Sequence, residues 1–241
     1  MVITSLENKK VKDVVKLKSK KYRDLTNSFI VETEHLINEA KKAHIVKELF
    51  LVGVGDEFDS PNTNFVTEEV MKKMSVMESP STMLAVCEKS NSIEIIGDKI
   101  LLLDNIQDPG NLGTIIRSSV AFGVTTIILS LDTVDLYNPK VIRASEGMFC
   151  HINIISMDLN EAISIIKARG IKVYGTNVVS GVDVRSVDGN SYALVMGNEG
   201  NGVRDEIQEL CDDNLYIPMN KSCESLNVGV ACSILLYELE K

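Results

Sequence analysis

Three apolar runs in the second half of the chain, each passing at once into glycine and uncharged polar residues, restrict most what this sequence can fold into. Leu101-Leu102-Leu103 leads into Asp104-Asn105-Ile106-Gln107-Asp108-Pro109-Gly110-Asn111-Leu112-Gly113, with Arg117 just beyond. Tyr192-Ala193-Leu194-Val195-Met196 leads into Gly197-Asn198-Glu199-Gly200-Asn201-Gly202. Leu215-Tyr216-Ile217-Pro218-Met219 leads into residues 220–224 and then Ser225-Leu226-Asn227. Further strands are predicted at Thr126–Leu131, Ile152–Ile155 and Val173–Thr176. Helices are predicted at Leu112–Phe122, Pro139–Glu146, Leu159–Arg169 and Asn227–Glu240, from their helical spacing and bounding residues. Strands alternating with helices imply an α/β fold whose sheet is mostly parallel and covered on both faces. Ligands of such sheets bind outside the carboxyl ends of the strands, where these three loops lie.

The first half carries its own alternation. Val11, Val14, Val15 and Leu17 among lysines predict an amphipathic helix from Asn8 to Leu25. Phe29-Ile30-Val31 reads as a strand, with Thr33 as the cap of a helix through Leu36, Ile37 and Ala40. Strands follow at Val46–Val54, Phe65-Val66 and Met83–Cys87, with a helix capped by Thr67 that carries Val70, Met71 and Met74. The polar stretch Lys89-Ser90-Asn91-Ser92 places a boundary near it, giving two domains, 1–96 and 97–241. A length of 241 residues with 44% hydrophobic content supplies two modest cores.

Composition narrows the function classes. No apolar stretch approaches the roughly 18 residues of a membrane span, and the first ten residues lack a signal core, so a cytoplasmic protein is expected. The five cysteines are odd in number and form no CxxC pair, and the three histidines are scattered, so neither disulfides nor a metal is expected. The net charge of −9 argues against nucleic acid until its distribution is considered. Between Met1 and Asp24 eight basic side chains face three acidic ones. Such a segment either contacts phosphates or is a solvated helix face.

Familiar catalytic patterns are missing. There is no GxxxxGK[ST] string, and Gly197 to Gly202 has the spacing GxxGxG rather than GxGxxG. No serine sits in a GxSxG elbow. What remains is a site of amides, hydroxyls and backbone groups with one arginine and one glutamate, suited to orienting a reactive cofactor and steadying a developing negative charge. Taken singly, Asn111, Asn227 and Ser225 read more readily as helix caps. Glu199 alone reads as a solvated loop acid, and Arg117 as a surface ion pair.

Taken together, these residues resemble the SpoU-type (TrmH-like) RNA ribose methyltransferases of the SPOUT superfamily, over essentially the whole chain. Asn111-Leu112-Gly113 with Arg117 resembles the first family motif, Gly197 through Gly202 the second, and Ile217-Pro218-Met219 with Ser225-Leu226-Asn227 the third. The resemblance implies S-adenosylmethionine as donor, the 2′-hydroxyl of an RNA nucleotide as acceptor, a homodimer, and a C-terminal α/β domain tied in a trefoil knot. It nominates Arg117, Asn111, Glu199 and Asn227 for catalysis, with Asn111 and Glu199 orienting the Arg117 guanidinium. For the cofactor it nominates Thr176, Asn177, Leu194, Met196, Gly197, Ile217, Met219, Ser225 and Leu226. Arg143, in Arg143-Ala144-Ser145-Glu146-Gly147-Met148-Phe149, follows a family segment expected at the site, the RNA or the dimer contact.

The N-terminal half is similar to the family's substrate-binding module, an α/β domain like ribosomal protein L30e. Thr33 stands where that pattern usually has glycine. Lys9, Lys10, Lys20, Lys21 and Arg23 are the expected RNA contacts. The expectation is thus an RNA 2′-O-ribose methyltransferase acting on ribosomal RNA. Transfer RNA as target, or a non-catalytic RNA-binding protein of the same fold, are the alternatives.

Overall fold

A computed structural model describes residues 2–53, 62–178, 180–187, 189–220 and 222–240. The chain divides into two units: Met1–Ser90 with Tyr137–Cys150, and Asn91–Leu136 with His151–Lys241. The chain therefore leaves the second unit after Leu136 and returns to it at His151.

In the first unit, β1 (Val2–Ile3), β2 (Ser28–Glu32), β3 (Val46–Val52), β4 (Thr63–Val66) and β5 (Met83–Glu88) form a sheet of order β1-β4-β3-β5-β2. The sheet is mixed: β4 runs parallel to β1 and β3, and β5 antiparallel to β2 and β3. Helices α1 (Lys9–Lys16) and α4 (Glu68–Met74) bury Val11, Val14, Val70, Met71 and Met74 against Ile30, Phe50 and Leu84. The single helix expected from Asn8 to Leu25 is two, α1 and α2 (Lys20–Thr26). The break has a physical cause. The buried Arg23 guanidinium takes the carbonyls of Leu17 and Lys18 at 2.9 and 3.0 Å, groups that a continuous helix would bond internally. Helix α3 (Glu34–Lys42) follows Thr33, whose side chain makes no capping bond. The expected strand end at Val54 lies outside the described residues.

The second unit holds β6 (Lys99–Leu103), β7 (Thr126–Leu129), β8 (Asn153–Ser156), β9 (Val173–Thr176), β10 (Val182–Asp183), β11 (Tyr192–Met196) and β12 (Asp213–Tyr216). Every pairing in the order β10-β12-β9-β11-β6-β7-β8 is parallel, as expected from the sequence. The helices are α5 (Pro109–Ala121), α7 (Leu159–Ala168), α8 (Asp205–Gln208) and α9 (Val228–Leu239); α6 (Pro139–Ala144) lies in the segment grouped with the first unit. A core of Ile100, Leu102, Ile128, Ala162, Ile166, Val173 and Val195 joins α7 to one face of the sheet. Across it, α5 and α9 pack together. The Ser118 and Ser233 hydroxyls meet at 2.7 Å, and a Cβ on Gly229 would stand 3.2 Å from Thr114 Cγ2. Gly110 and Asn111, expected in the loop ahead of a helix starting at Leu112, belong to α5, which begins earlier because Asp108 caps it and Pro109 occupies its first position.

Candidate active site

Because β12, β9, β11 and β6 are parallel neighbours, their carboxyl ends lie on one edge of the sheet. Leu103 is in register with Met196, and Thr176 with Leu215. The segments leaving β9, β11 and β12 enclose, with α9, a cavity of about 530 Å³. Its wall contains Thr176, Asn177, Met196, Gly197, Ile217, Met219, Ser225 and Leu226, all expected for the cofactor. Leu194 is not in the wall: it lies two residues inside β11 and is fully buried, pointing into the core. Glu199 and Asn227 line the cavity too, together with Asn198, Asn201 and Tyr216, which the sequence reading did not single out. Gly197 admits no side chain, since a Cβ there would overlap the backbone of Gly202 and Val203.

The first and second loops are stitched together. Asp104 donates its N–H to the Met196 carbonyl at 2.9 Å, extending the β6–β11 ladder. Its buried carboxylate accepts from Arg204 N at 2.9 Å and Nε at 2.8 Å, and pairs with Nη2 at 2.6 Å. Glu199 accepts from Gln107 N, Asp108 N and Asn111 Nδ2 at 3.1, 3.0 and 3.0 Å. Burial pushes the Glu199 pKa up, but the hydrogen bonds from Asn111, Asp108 and Gln107 outweigh it and hold the carboxyl below its ordinary range. Asn111 Oδ1 then accepts from Asn227 Nδ2 at 2.9 Å, and Asn227 Oδ1 caps α9 through Gly229 N and Val230 N. A chain of Glu199, Asn111 and Asn227 thus joins all three loops.

Arg117 stands apart from that chain. It is exposed on α5, outside the cavity wall, and makes no hydrogen bond or ion pair with any described residue. Six positions separate it from Asn111, which on a helix is about 9 Å along the axis and roughly 120° around it. Contrary to expectation, Asn111 and Glu199 do not hold the guanidinium. They hold the end of the helix that carries it.

Five of the eight basic side chains of the N-terminal segment are engaged within the unit, three of them by carboxylates. Lys10 pairs with Glu48 at 3.1 Å, Lys12 with Glu7 at 2.5 Å and Lys16 with Asp13 at 2.9 Å. Lys18 donates to the carbonyls of Lys73 and Ser75. Arg23, expected to face RNA, is buried at 5% exposure and spent on backbone carbonyls. Lys9, Lys20 and Lys21 are exposed with no partner among the described residues. Arg143, in the last turn of α6, is half-buried and is not part of the cavity wall. Among the described residues no cluster of histidine, cysteine and carboxylate side chains could hold a metal ion.

The wall suits the nucleoside-bearing methyl donor that the family resemblance implies. Met196, Ile217, Met219, Leu226 and Leu235 offer apolar surface for a base, while backbone groups and the Asn177, Ser225 and Asn227 side chains offer polar contacts at the rim. Fold and site together define an α/β protein with a ligand cavity at the strand ends of a parallel sheet. The chain belongs to the SpoU rRNA methylase family, which matches residues 98–237, and residues 8–85 match an MRM3-like substrate binding domain. It is 39% identical to the 23S rRNA (guanosine(2553)-2′-O)-methyltransferase RlmP of Bacillus subtilis, over 98% of both chains. A structure of an AdoMet-bound rRNA methyltransferase from Sinorhizobium meliloti superposes with a TM-score of 0.88 at 30% identity, covering 99% of this chain and 97% of that one. The SpoU methyltransferase AviRb from Streptomyces viridochromogenes, in complex with AdoMet, superposes with a TM-score of 0.84 at 25% identity, covering 97% of each.

Proposed function

We propose that this protein transfers a methyl group from S-adenosylmethionine to the ribose 2′-hydroxyl of a nucleotide in 23S ribosomal RNA, as a cytoplasmic homodimer. One observation carries the reading: the second and third motifs, far apart in sequence, line a single cavity at the carboxyl edge of the sheet, and Glu199 and Asn227 on its wall hydrogen-bond Asn111 of the first. Thr176, Asn177, Met196, Gly197, Ile217, Met219, Ser225 and Leu226 would hold the cofactor, which supplies a methyl already activated on a sulfonium. The protein's own task is to place the ribose oxygen and stabilise the charge it gains on losing its proton. Arg117 is the donor for that charge and for the neighbouring phosphate; an arginine pKa above about 12 makes a proton-accepting guanidine costly. Glu199, Asn111 and Asn227 set the geometry. Lys9, Lys20 and Lys21, which have no partner among the described residues, are the RNA contacts of the N-terminal unit, with Arg143 as a further candidate. Lys10 would have to exchange Glu48 for phosphate.

The homodimer is supported by α9. This helix is apolar almost all round, and Val230, Ile234 and Tyr237, at helical spacing, are 48%, 37% and 53% exposed. A helix of that kind calls for a cover on its outer face. Its neighbour α5 carries Arg117 beside Thr114 and Ser118, the residues that face α9. The trefoil knot belongs to the same proposal, supported by α9 returning to α5 after a strand on the far side of β9.

Mapping 2′-O-methylated nucleotides in ribosomal and transfer RNA, with and without the protein, tests the reading. One 23S nucleotide should lose its mark, and the guanosine named for RlmP is the first to inspect. Loss confined to transfer RNA would replace the target. No loss anywhere, with no thermal stabilisation by the cofactor, would leave an RNA-binding protein.

A further inference from the structure

We propose that Asn198 is a positioning residue for methyl transfer, whose amide folds the cofactor loop with one end and sets the Arg117-bearing helix with the other. The inference rests on the reaction proposed above. Asn198 Oδ1 accepts from the backbone N–H groups of Gly200 and Asn201 at 2.9 and 3.2 Å, closing the glycine-rich loop. Its main-chain N and O exchange hydrogen bonds with Gly202 at 2.9 and 3.0 Å, locking the base of that loop. Nδ2 points the other way and donates to the Asn105 carbonyl at 2.8 Å, across to the first loop. The orientation of the amide is set by chemistry, because N–H donors stand at one end and a carbonyl at the other.

Asn105 is the pivot of the first loop. Its backbone is left-handed, with φ of +58°, and its N–H donates to Ser130 Oγ at 2.8 Å. Three residues later Asp108 caps α5 by accepting from Asn111 N at 2.9 Å. The buried Asp104, held by Arg204, anchors the start of this loop, and Glu199 grips its end through the N–H groups of Gln107 and Asp108. Asn198 ties down the middle. The side chain that shapes the cavity wall therefore also fixes where α5 begins, and with it the placement of Asn111 and Arg117. Small displacements of a group that must meet a reacting oxygen are expensive in rate.

Two substitutions separate the jobs of the amide. In Asn198→Ser the hydroxyl can still accept from the loop N–H groups but is too short to reach Asn105. In Asn198→Asp the acceptor is kept and the donor is lost. At saturating cofactor and RNA, both should lower kcat at least about tenfold while cofactor affinity stays within about threefold and the melting temperature is nearly unchanged. Asn198→Ala, lacking both ends, should lose cofactor affinity as well. If the aspartate variant fails to fold beside Glu199, the serine variant decides. Turnover by folded Asn198→Ser within about twofold of the parent would overturn the proposal. So would a kcat loss matched by equal losses of cofactor affinity and melting temperature. If the parent itself methylates no RNA, the reaction assignment fails, and Asn198 is then judged by amide hydrogen exchange. Asn198→Ser should speed exchange at Gln107 and Asp108 and spare Gly200 and Asn201; unchanged exchange at Gln107 and Asp108 would refute the positioning role.

Discussion

At the scale of the residue, Thr33 holds an unfavourable backbone conformation. A β-branched side chain sits at φ +80°, ψ 145°, close to a region that is nearly glycine's alone and costs other residues about 1–3 kcal/mol. Neighbouring contacts hold it there. The buried Glu32 carboxylate accepts from Ser75 Oγ at 2.6 Å and Val76 N at 2.7 Å, and the Thr33 carbonyl already accepts from Ile37 N at 3.0 Å. Thr33→Gly should therefore stabilise the protein by about 1 kcal/mol even after the entropy of a more flexible unfolded chain, seen as a higher urea midpoint at unchanged slope. Arg117→Ala should behave oppositely in kind: stability and cofactor binding unchanged, methyl transfer lost, because the side chain is exposed and has no partner among the described residues. Normal turnover by that variant would remove Arg117 from the chemistry. Glu199 predicts a pH limit. Its folded pKa is depressed below the ordinary 4.5, so its contribution is complete above that value and is lost as pH falls through the folded one. The Glu199 contribution to unfolding free energy should be constant from about pH 7 to 5 and lost only at more acid pH, so the gap in urea midpoint between the protein and Glu199→Gln should close as pH falls through the folded pKa.

At the scale of the element, the informative features are helix beginnings. Asp108, Asn138, Asp158 and Asn227 each cap a helix with the side-chain oxygen. Asn227 does so while donating to Asn111, so cap and site share one amide. Asn227→Ala should cost about 1 kcal/mol, a fall of roughly 2–4 °C in melting temperature, and should also reduce kcat. Asn227→Asp should keep the melting temperature and lose only kcat, since a carboxylate caps equally well but cannot donate. Elements were legible in proportion to their length and pattern. The runs of β6 and β11 and the spacing of α7 and α9 announce themselves. The two-residue strands β1 and β10 and the four-residue α8 carry no period to detect. The split between α1 and α2 was hidden because it depends on where the Arg23 guanidinium goes, which helical spacing does not record.

At the scale of the molecule, the exposed stripe of α9 bears on assembly. Ile234→Glu should shift the protein to a monomer by light scattering at micromolar concentration, and a monodisperse dimer in that variant would remove α9 from the interface. Burial accounts for the thiols as well: it pushes Cys150 and Cys232 up to about 12, so neither is a nucleophile near neutral pH. The sequence alone determined the alternating α/β plan, the parallel class of the second sheet and the family, and it nominated Asn111, Arg117, Glu199 and Asn227, because periodicity and motif spacing are local properties of a chain. Tertiary structure decided how those residues are used. Asn198 finds Asn105 across 93 positions and Arg204 finds Asp104 across 100, and no local pattern encodes such pairings. Likewise, burial removed Leu194 from the cavity and Arg23 from the RNA face, because which side of a strand or helix meets the core is settled only when the other elements arrive.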